Sequence, residues 1–168
     1  PHELVMRLDP GMAFGTGTHE TTRLCLTALD EFDPAGKAVL DIGCGSGILA
    51  VAAMLLGAKS AEGIDIDETA VKSAVENAAR NGMAVDFHLG DLARGVSGSY
   101  GIIFANIVAD ALIALSPDIP GRLEDGGVFI ASGIIDERER EVRLAIEAAG
   151  MRIARTLREN GWVCIVAV

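Results

Sequence analysis

Val39-Leu40-Asp41-Ile42-Gly43-Cys44-Gly45-Ser46-Gly47-Ile48-Leu49 opens as an apolar, partly β-branched strand and breaks into a turn with glycine at every second position. The stretch then feeds an apolar helix predicted over 48–56. A strand that becomes a glycine turn and then a helix N-terminus is a nucleotide-cofactor site in outline. Glycine permits the sharp turn and the close approach of a ligand. Free N–H groups and the helix dipole are expected to polarise whatever docks there.

The rest of the chain alternates around that turn. Gly36 and Lys37 lead into the first strand, 38–42, and Gly57 stops the helix. A second strand, 60–64, ends in Asp65-Ile66-Asp67, and the next helix, 68–81, closes on Asn81-Gly82. Strands over 85–89 and 101–105 end at Asp91 and Asn106. A helix over 109–115 stops before Pro117 and Pro120. Gly126-Gly127 introduces a fifth strand, 128–131, and a charged amphipathic helix, 136–149, ends at Gly150. Segments 151–157 and 162–168 flank Asn160-Gly161 and predict a β-hairpin. The order predicts a doubly wound α/β fold: a mostly parallel, seven-stranded, Rossmann-like sheet with an antiparallel carboxyl-terminal hairpin.

Residues 1–17 are glycine-rich and irregular after a short extended piece over 4–8. Thr18 is placed to cap a helix running to residue 29 or 30. By composition this loop could be a linker, but linkers rarely carry Met12-Ala13-Phe14 between their glycines.

A chain of 168 residues is expected to form one domain, 1–168, with a real core. Its longest apolar run, 48–58, is too short to span a bilayer, and nothing resembles a signal peptide. Cys25, Cys44 and Cys164 are odd in number and far apart, which argues against a disulfide framework and a metal site. A cytoplasmic protein with reduced thiols is the expectation. The net charge of −10 weighs against direct nucleic-acid binding and suits a cationic ligand or a basic partner. Since the chain starts at Pro1, it is expected to be a piece of a longer protein.

The turn discriminates between cofactors. A dinucleotide fingerprint needs G-x-G-x-x-G, whereas here the pattern is Gly43-x-Gly45-x-Gly47 with Ile48 following. Asp65 lies 22 residues after Gly43, the right distance to hold a ribose hydroxyl pair of NAD or of S-adenosylmethionine. Asp41 separates the two. A carboxylate so near the turn would repel a pyrophosphate but suits an ammonium and a sulfonium. Asp91 reads as an adenine contact or a loop turn residue, and Asp67 as a ligand or a helix N-cap. Asn106, at a strand's carboxyl end, faces the same crevice, where an amide can accept from an amine; its plainer role is a turn or cap.

These residues resemble a class I S-adenosylmethionine-dependent methyltransferase. Within that class they resemble the catalytic domain of the PrmA family, which methylates a protein of the large ribosomal subunit. The likeness rests on residues 9–22 and 41–50, on Gly63-Ile64-Asp65-Ile66-Asp67, on Ala105-Asn106-Ile107 and on Ser132-Gly133-Ile134. It makes the loop and leading helix of 1–30 part of the active site. It implies that Gly43, Gly45 and Gly47 line the methionine moiety, that Asp65 with Ile66 holds the ribose side, and that Asp91 and Leu92 meet the adenine. Phe14, Gly15, Thr16 and Thr18 would close over the cofactor, with Thr16 and His19 near the methyl donor and Asn106 orienting the acceptor nitrogen. The implied acceptors are lysine ε-amines and an N-terminal α-amine of a basic ribosomal protein. The family's amino-terminal recognition domain is not expected within 1–168: an excised catalytic domain is expected to bind S-adenosylmethionine yet methylate its protein poorly, whereas a complete protein is expected to act on another substrate.

The chemistry is an in-line displacement at a sulfonium methyl, for which the protein supplies positioning and desolvation. The amine must be neutral, and a lysine of reference pKa about 10.4 has to lose a proton first. Burial and a nearby positive charge both assist. No residue stands out as a dedicated base; His19 is a candidate or shapes the loop. A methyltransferase of the same fold acting on a small molecule or a nucleic-acid amine is the second reading, and a non-enzymatic NAD-binding module the third. Asp41 and Ile48 argue against the third. Against a nucleic-acid amine, Asn106 is followed by Ile107-Val108-Ala109 and no basic stripe is present.

Overall fold

The computed structural model describes residues 5–9 and 17–168. Its elements run α1 (Glu20–Phe32), β1 (Ala38–Ile42), α2 (Ile48–Leu55), β2 (Ser60–Asp65), α3 (Glu68–Arg80), β3 (Asp86–Leu89) and β4 (Tyr100–Asn106). They continue with α4 (Ala109–Leu115), β5 (Leu123–Ile135), α5 (Glu139–Ala148), β6 (Ile153–Glu159) and β7 (Trp162–Ala167). The seven strands form one sheet in the order β3-β2-β1-β4-β5-β7-β6. The first five are parallel; β7 pairs antiparallel with both β5 and β6. The hairpin therefore contributes two strands, with β7 inserted against β5 and β6 on the edge.

Successive side chains of a strand point to opposite faces, so a strand covered on both faces is apolar throughout. In β4, Ile102 and Phe104 join one core cluster and Ile103 and Ala105 the other, all fully buried. α1 and α2 cover the first face with Leu24, Leu29 and Leu49. On the second face α4 and α5 bring Leu112, Val142 and Ile146. The small buried residues Ala70, Ala74 and Ala78 let α3 approach the sheet closely.

Several boundaries differ from the sequence expectation, among them the ends of α1, β5 and β6, and three have a local reason. α1 begins at Glu20 and is capped by His19, whose ring Nδ1 accepts from the Thr21 amide at 3.3 Å; Thr18 is not the cap. β5 extends back to Leu123 through Glu124, Asp125 and Gly126, because Leu123 pairs with Tyr100 at the start of β4. The helix expected from residue 136 opens as a 3-10 turn, Asp136–Arg138, and becomes α-helical only at Glu139.

Candidate active site

β1 lies between β2 and β4, so the strand order reverses at its two edges, and in open parallel sheets ligands bind beyond the carboxyl ends at such a point. A cavity of about 490 Å³ opens there. Asp41, Ile42 and the turn residues Gly43, Cys44 and Gly45 form its floor. Asp65, Ile66, Gly90, Asp91 and Leu92 form one wall, and Asn106, Ile107, Val108 and Ala111 the other. Thr22 of α1 and Ile48 and Leu49 of α2 complete the lining.

The turn is held by its own amides. Gly43 and Cys44 donate to the Ile64 carbonyl at 2.8 and 3.0 Å, and Gly47 donates to the Cys44 carbonyl at 2.8 Å. Gly45 donates to Asp65 Oδ2 at 2.9 Å. These four N–H groups are engaged within the chain and do not form a cradle for a pyrophosphate. Gly43 has φ +71°, and a Cβ there would lie 2.4 Å from Ile107 Cγ2, so a side chain would force the floor and the Ile107 wall apart. Gly47, with φ +77°, falls outside the cavity lining. A Cβ on it would meet Phe87 at 2.8 Å and Ala74 at 2.9 Å, so its bareness lets α2 pack against α3 and β3.

Asp41 is the electrostatic anomaly. It is 1 % exposed, and neither carboxylate oxygen has a hydrogen-bond partner among the described residues. Burial raises its pKa to about 7; the Ala50 amide opposes that rise without reaching hydrogen-bond geometry, and the charge of Asp65 adds to it. A buried carboxylate without a partner is costly, and it lines the cavity. A cationic ligand group there would remove that cost. Burial also pushes the neighbouring Cys44 thiol up, with Asp41 and Asp65 adding to it, so this cysteine is no thiolate nucleophile.

On the adjacent wall, Asp65 is oriented by two amides, Gly45 to Oδ2 and Asp67 to Oδ1 at 3.0 Å. Each oxygen keeps acceptor capacity for a further donor. Asp67 itself caps α3, accepting from the Thr69 amide at 2.8 Å, which settles its role as structural. Ile66 is 75 % exposed at the cavity edge, a large apolar side chain with nothing yet packed on it. Asp91 pairs with Arg94 at 2.9 Å on the surface. Leu92 sits at φ +53°, a backbone conformation that non-glycine residues rarely adopt, while its side chain packs onto the core.

Asn106 ends β4 opposite Ser132, and its side-chain amide makes no hydrogen bond among the described residues. His19 is not in the lining. Its Nδ1 lies 2.9 Å from Thr21 Oγ1, and its ring meets Trp162 edge-on with centroids 5.1 Å apart. These contacts tie the start of α1 to the last strand. The Thr18 carbonyl accepts from Arg23, and Thr18 is likewise not in the lining. Phe14, Gly15 and Thr16 lie outside the described residues. Thr22, Val108 and Ala111 were not singled out from the sequence. Thr22 had a usable signal, because it shares the i, i+3, i+7 stripe of α1 with the buried Cys25 and Leu29, and a polar residue in such a stripe asks for a reason.

A family model described as "Ribosomal protein L11 methyltransferase (PrmA)" matches residues 1–168. The chain belongs to this family. It is 47 % identical over 169 residues to a ribosomal protein L11 methyltransferase of Exiguobacterium sp., covering 99 % of this chain and 54 % of that protein. A relative of the same name from Symbiobacterium thermophilum is 47 % identical, covering 99 % of this chain and 55 % of the relative. Among solved structures, ribosomal protein L11 methylase from Lactobacillus delbrueckii subsp. bulgaricus superposes with a TM-score of 0.92 at 35 % identity, covering 97 % of this chain and 84 % of that one. The chain thus spans about half the length of the curated relatives it matches. Among the described residues no helix is long and apolar enough to cross a membrane.

Proposed function

We propose that this chain is an S-adenosylmethionine-dependent protein N-methyltransferase domain acting on lysine ε-amines or the N-terminal α-amine of a large-subunit ribosomal protein, the L11 of its relatives' names. The observation that carries the cofactor is Asp41: a buried, unpartnered carboxylate facing a cavity whose turn amides are already engaged. An ammonium satisfies that carboxylate, whereas a pyrophosphate would meet a negative charge with no free amide donors from Gly43, Cys44, Gly45 or Gly47.

Bound there, S-adenosylmethionine would supply an activated methyl on a sulfonium. Asp41 takes the ammonium, Gly43 and Gly45 bring bare backbone against the methionine chain, and Asp65 accepts from the ribose hydroxyls. Ile66 and Leu92 offer apolar surface to the adenine, with Asp91 at its edge. Asn106, whose amide is uncommitted, accepts from the incoming amine and aligns its lone pair. Thr22, on the facing helix, completes the wall around the reacting groups. Neutralisation of the amine comes from desolvation and from the cationic neighbour, since His19 serves the loop. A net charge of −10 favours a basic protein partner, and a ribosomal acceptor is consistent with a reaction in the cytoplasm.

The test is transfer of label from radiolabelled S-adenosylmethionine to unmethylated ribosomal protein L11. Label in L11, absent with Asp65→Ala, is the expected result. Label absent from L11 but present in a small-molecule or nucleic-acid acceptor would overturn the proposed substrate.

A further inference from the structure

Segment 5–9 meets α3 in a ladder of side-chain amides. The Arg7 N–H donates to Asn81 Oδ1 at 2.8 Å, and Asn81 Nδ2 donates back to the Arg7 carbonyl at 2.7 Å. One rung on, the Asp9 N–H donates to Asn77 Oδ1 at 3.0 Å. The rungs are commensurate. Two residues of extended chain advance about 6.7 Å and four residues of helix about 6 Å, so residues 7 and 9 meet Asn81 and Asn77 in register. From the other side, Met6 and Leu8 pack against the α1–α2 core, and Arg80 pairs with Asp9 at 2.9 Å.

Asn77 does something that Asn81 does not. It is fully buried, and its Nδ2 donates to the carbonyl of Ser46 at 3.0 Å. Ser46 stands in the glycine turn between Gly45, whose amide holds Asp65, and Gly47, which caps α2. A single buried side chain thus ties the turn at the cavity floor to the segment ahead of the glycine-rich loop. Packing alone would not ask for this. The neighbouring interior positions of α3 are alanines, and a buried amide is tolerated only with its donor and acceptor ends both bonded.

We propose, on the S-adenosylmethionine reading of the cavity, that Asn77 is a positioning residue of the cofactor turn and couples it to segment 5–9. A ligand on Gly43 and Gly45 fixes the turn, the Ser46 carbonyl holds Asn77, and Asn77 holds the Asp9 amide. Coupling is reciprocal, so loosening the Asn77–Ser46 link weakens ligand binding by the same factor as the ligand tightens that link.

The experiment combines calorimetry with amide hydrogen exchange on the whole chain, using S-adenosylhomocysteine as probe. In the wild type, saturation should slow exchange at the Asp9 amide several-fold and leave the remote Lys59 amide, which bonds Lys37, unchanged. Asn77→Asp keeps an acceptor for Asp9 but removes the donor to Ser46. It should bind about tenfold more weakly, with the Asp9 response gone. Asn81→Ala should bind within about twofold of wild type, because it does not touch the turn. The coupling is overturned if wild type binds while Asp9 protection does not change, or if Asn77→Asp binds like wild type. Should Asn77→Asp not fold, the wild-type exchange measurement decides alone. If the wild type binds neither S-adenosylmethionine nor its product, the proposed function falls, and the coupling with it.

Discussion

At the carboxyl-terminal side of the sheet, Glu139 accepts from Arg158 at 2.6 Å and from Arg143 at 3.0 Å, while Arg158 also reaches Asp136 at 3.2 Å. At the switch point, Asp41 is buried far more deeply and accepts from nothing among the described residues. The two carboxylates respond oppositely. Burial pushes Glu139 up, but the hydrogen bonds and charges of Arg143 and Arg158 outweigh it and leave its pKa lowered. Asp41, with no such partner, is raised to about 7. Charges in this region complete each other and link α5 and the turn ahead of it to β6. The charge at the cavity floor has no such completion among the described residues.

That contrast can be broken first at Asp41. Because its folded pKa exceeds the unfolded value, its ionisation disfavours the folded ligand-free chain, and stability is lost as pH rises from about 4 to about 7. Asp41→Asn removes this dependence. In denaturant titrations it should gain on wild type by about 1.4 kcal/mol per pH unit across that window. A constant difference between the two would mean that Asp41 has a partner.

Asn106→Ala comes next. With the aligning acceptor gone, steady-state kinetics on L11 should show kcat reduced about 100-fold with S-adenosylmethionine binding nearly unchanged, the mark of an interaction made in the transition state. Loss of cofactor affinity instead would make Asn106 a binding residue. Asp65→Ala should weaken S-adenosylhomocysteine about tenfold or more in calorimetry, since a charge-assisted pair with the ribose hydroxyls is lost. An unchanged Kd would remove Asp65 from the site. The smallest effect belongs to the completed region. Glu139→Gln should lower Tm by about 2 °C at neutral pH and leave ligand affinity alone. Its sign with pH is opposite to that of Asp41. The depressed pKa of Glu139 gives stability above its unfolded value, lost as pH falls through the folded one, so variant and wild type should converge in acid.

The sheet was legible because its signals are local. Short strands rich in apolar residues and ended by Asp41-Ile42-Gly43, Asp65 or Asn106 alternate with helices and announce a parallel sheet, and each of these ends lies at the cavity. Asp67 as a cap was equally readable, from its place just ahead of a helix. What escaped depends on partners distant in sequence. Gly47 looks like its two neighbours in the motif, yet its surroundings are Phe87 and Ala74, which no spacing rule supplies. The two sequence readings of His19, a candidate base or a residue shaping the loop, could not include its edge-on contact with Trp162, which lies on the last strand. The engagement of the turn amides was not legible, because the Ile64 carbonyl and the Asp65 carboxylate that accept from them come from another strand. Thr22 and Val108 reach the cavity only through the packing of α1 and the α4 cap.

The account stands on the pairing of Asp41 with a cationic group of the ligand. The most direct measurement is a calorimetric cycle: wild type and Asp41→Asn, each titrated with S-adenosylhomocysteine and with methylthioadenosine, which lacks the amino acid end. The prediction is that wild type favours S-adenosylhomocysteine by about 100-fold, a few kcal/mol for a buried charge pair, and that Asp41→Asn binds the two nearly alike. Equal discrimination by the two proteins would contradict the account and leave the buried carboxylate without its ligand.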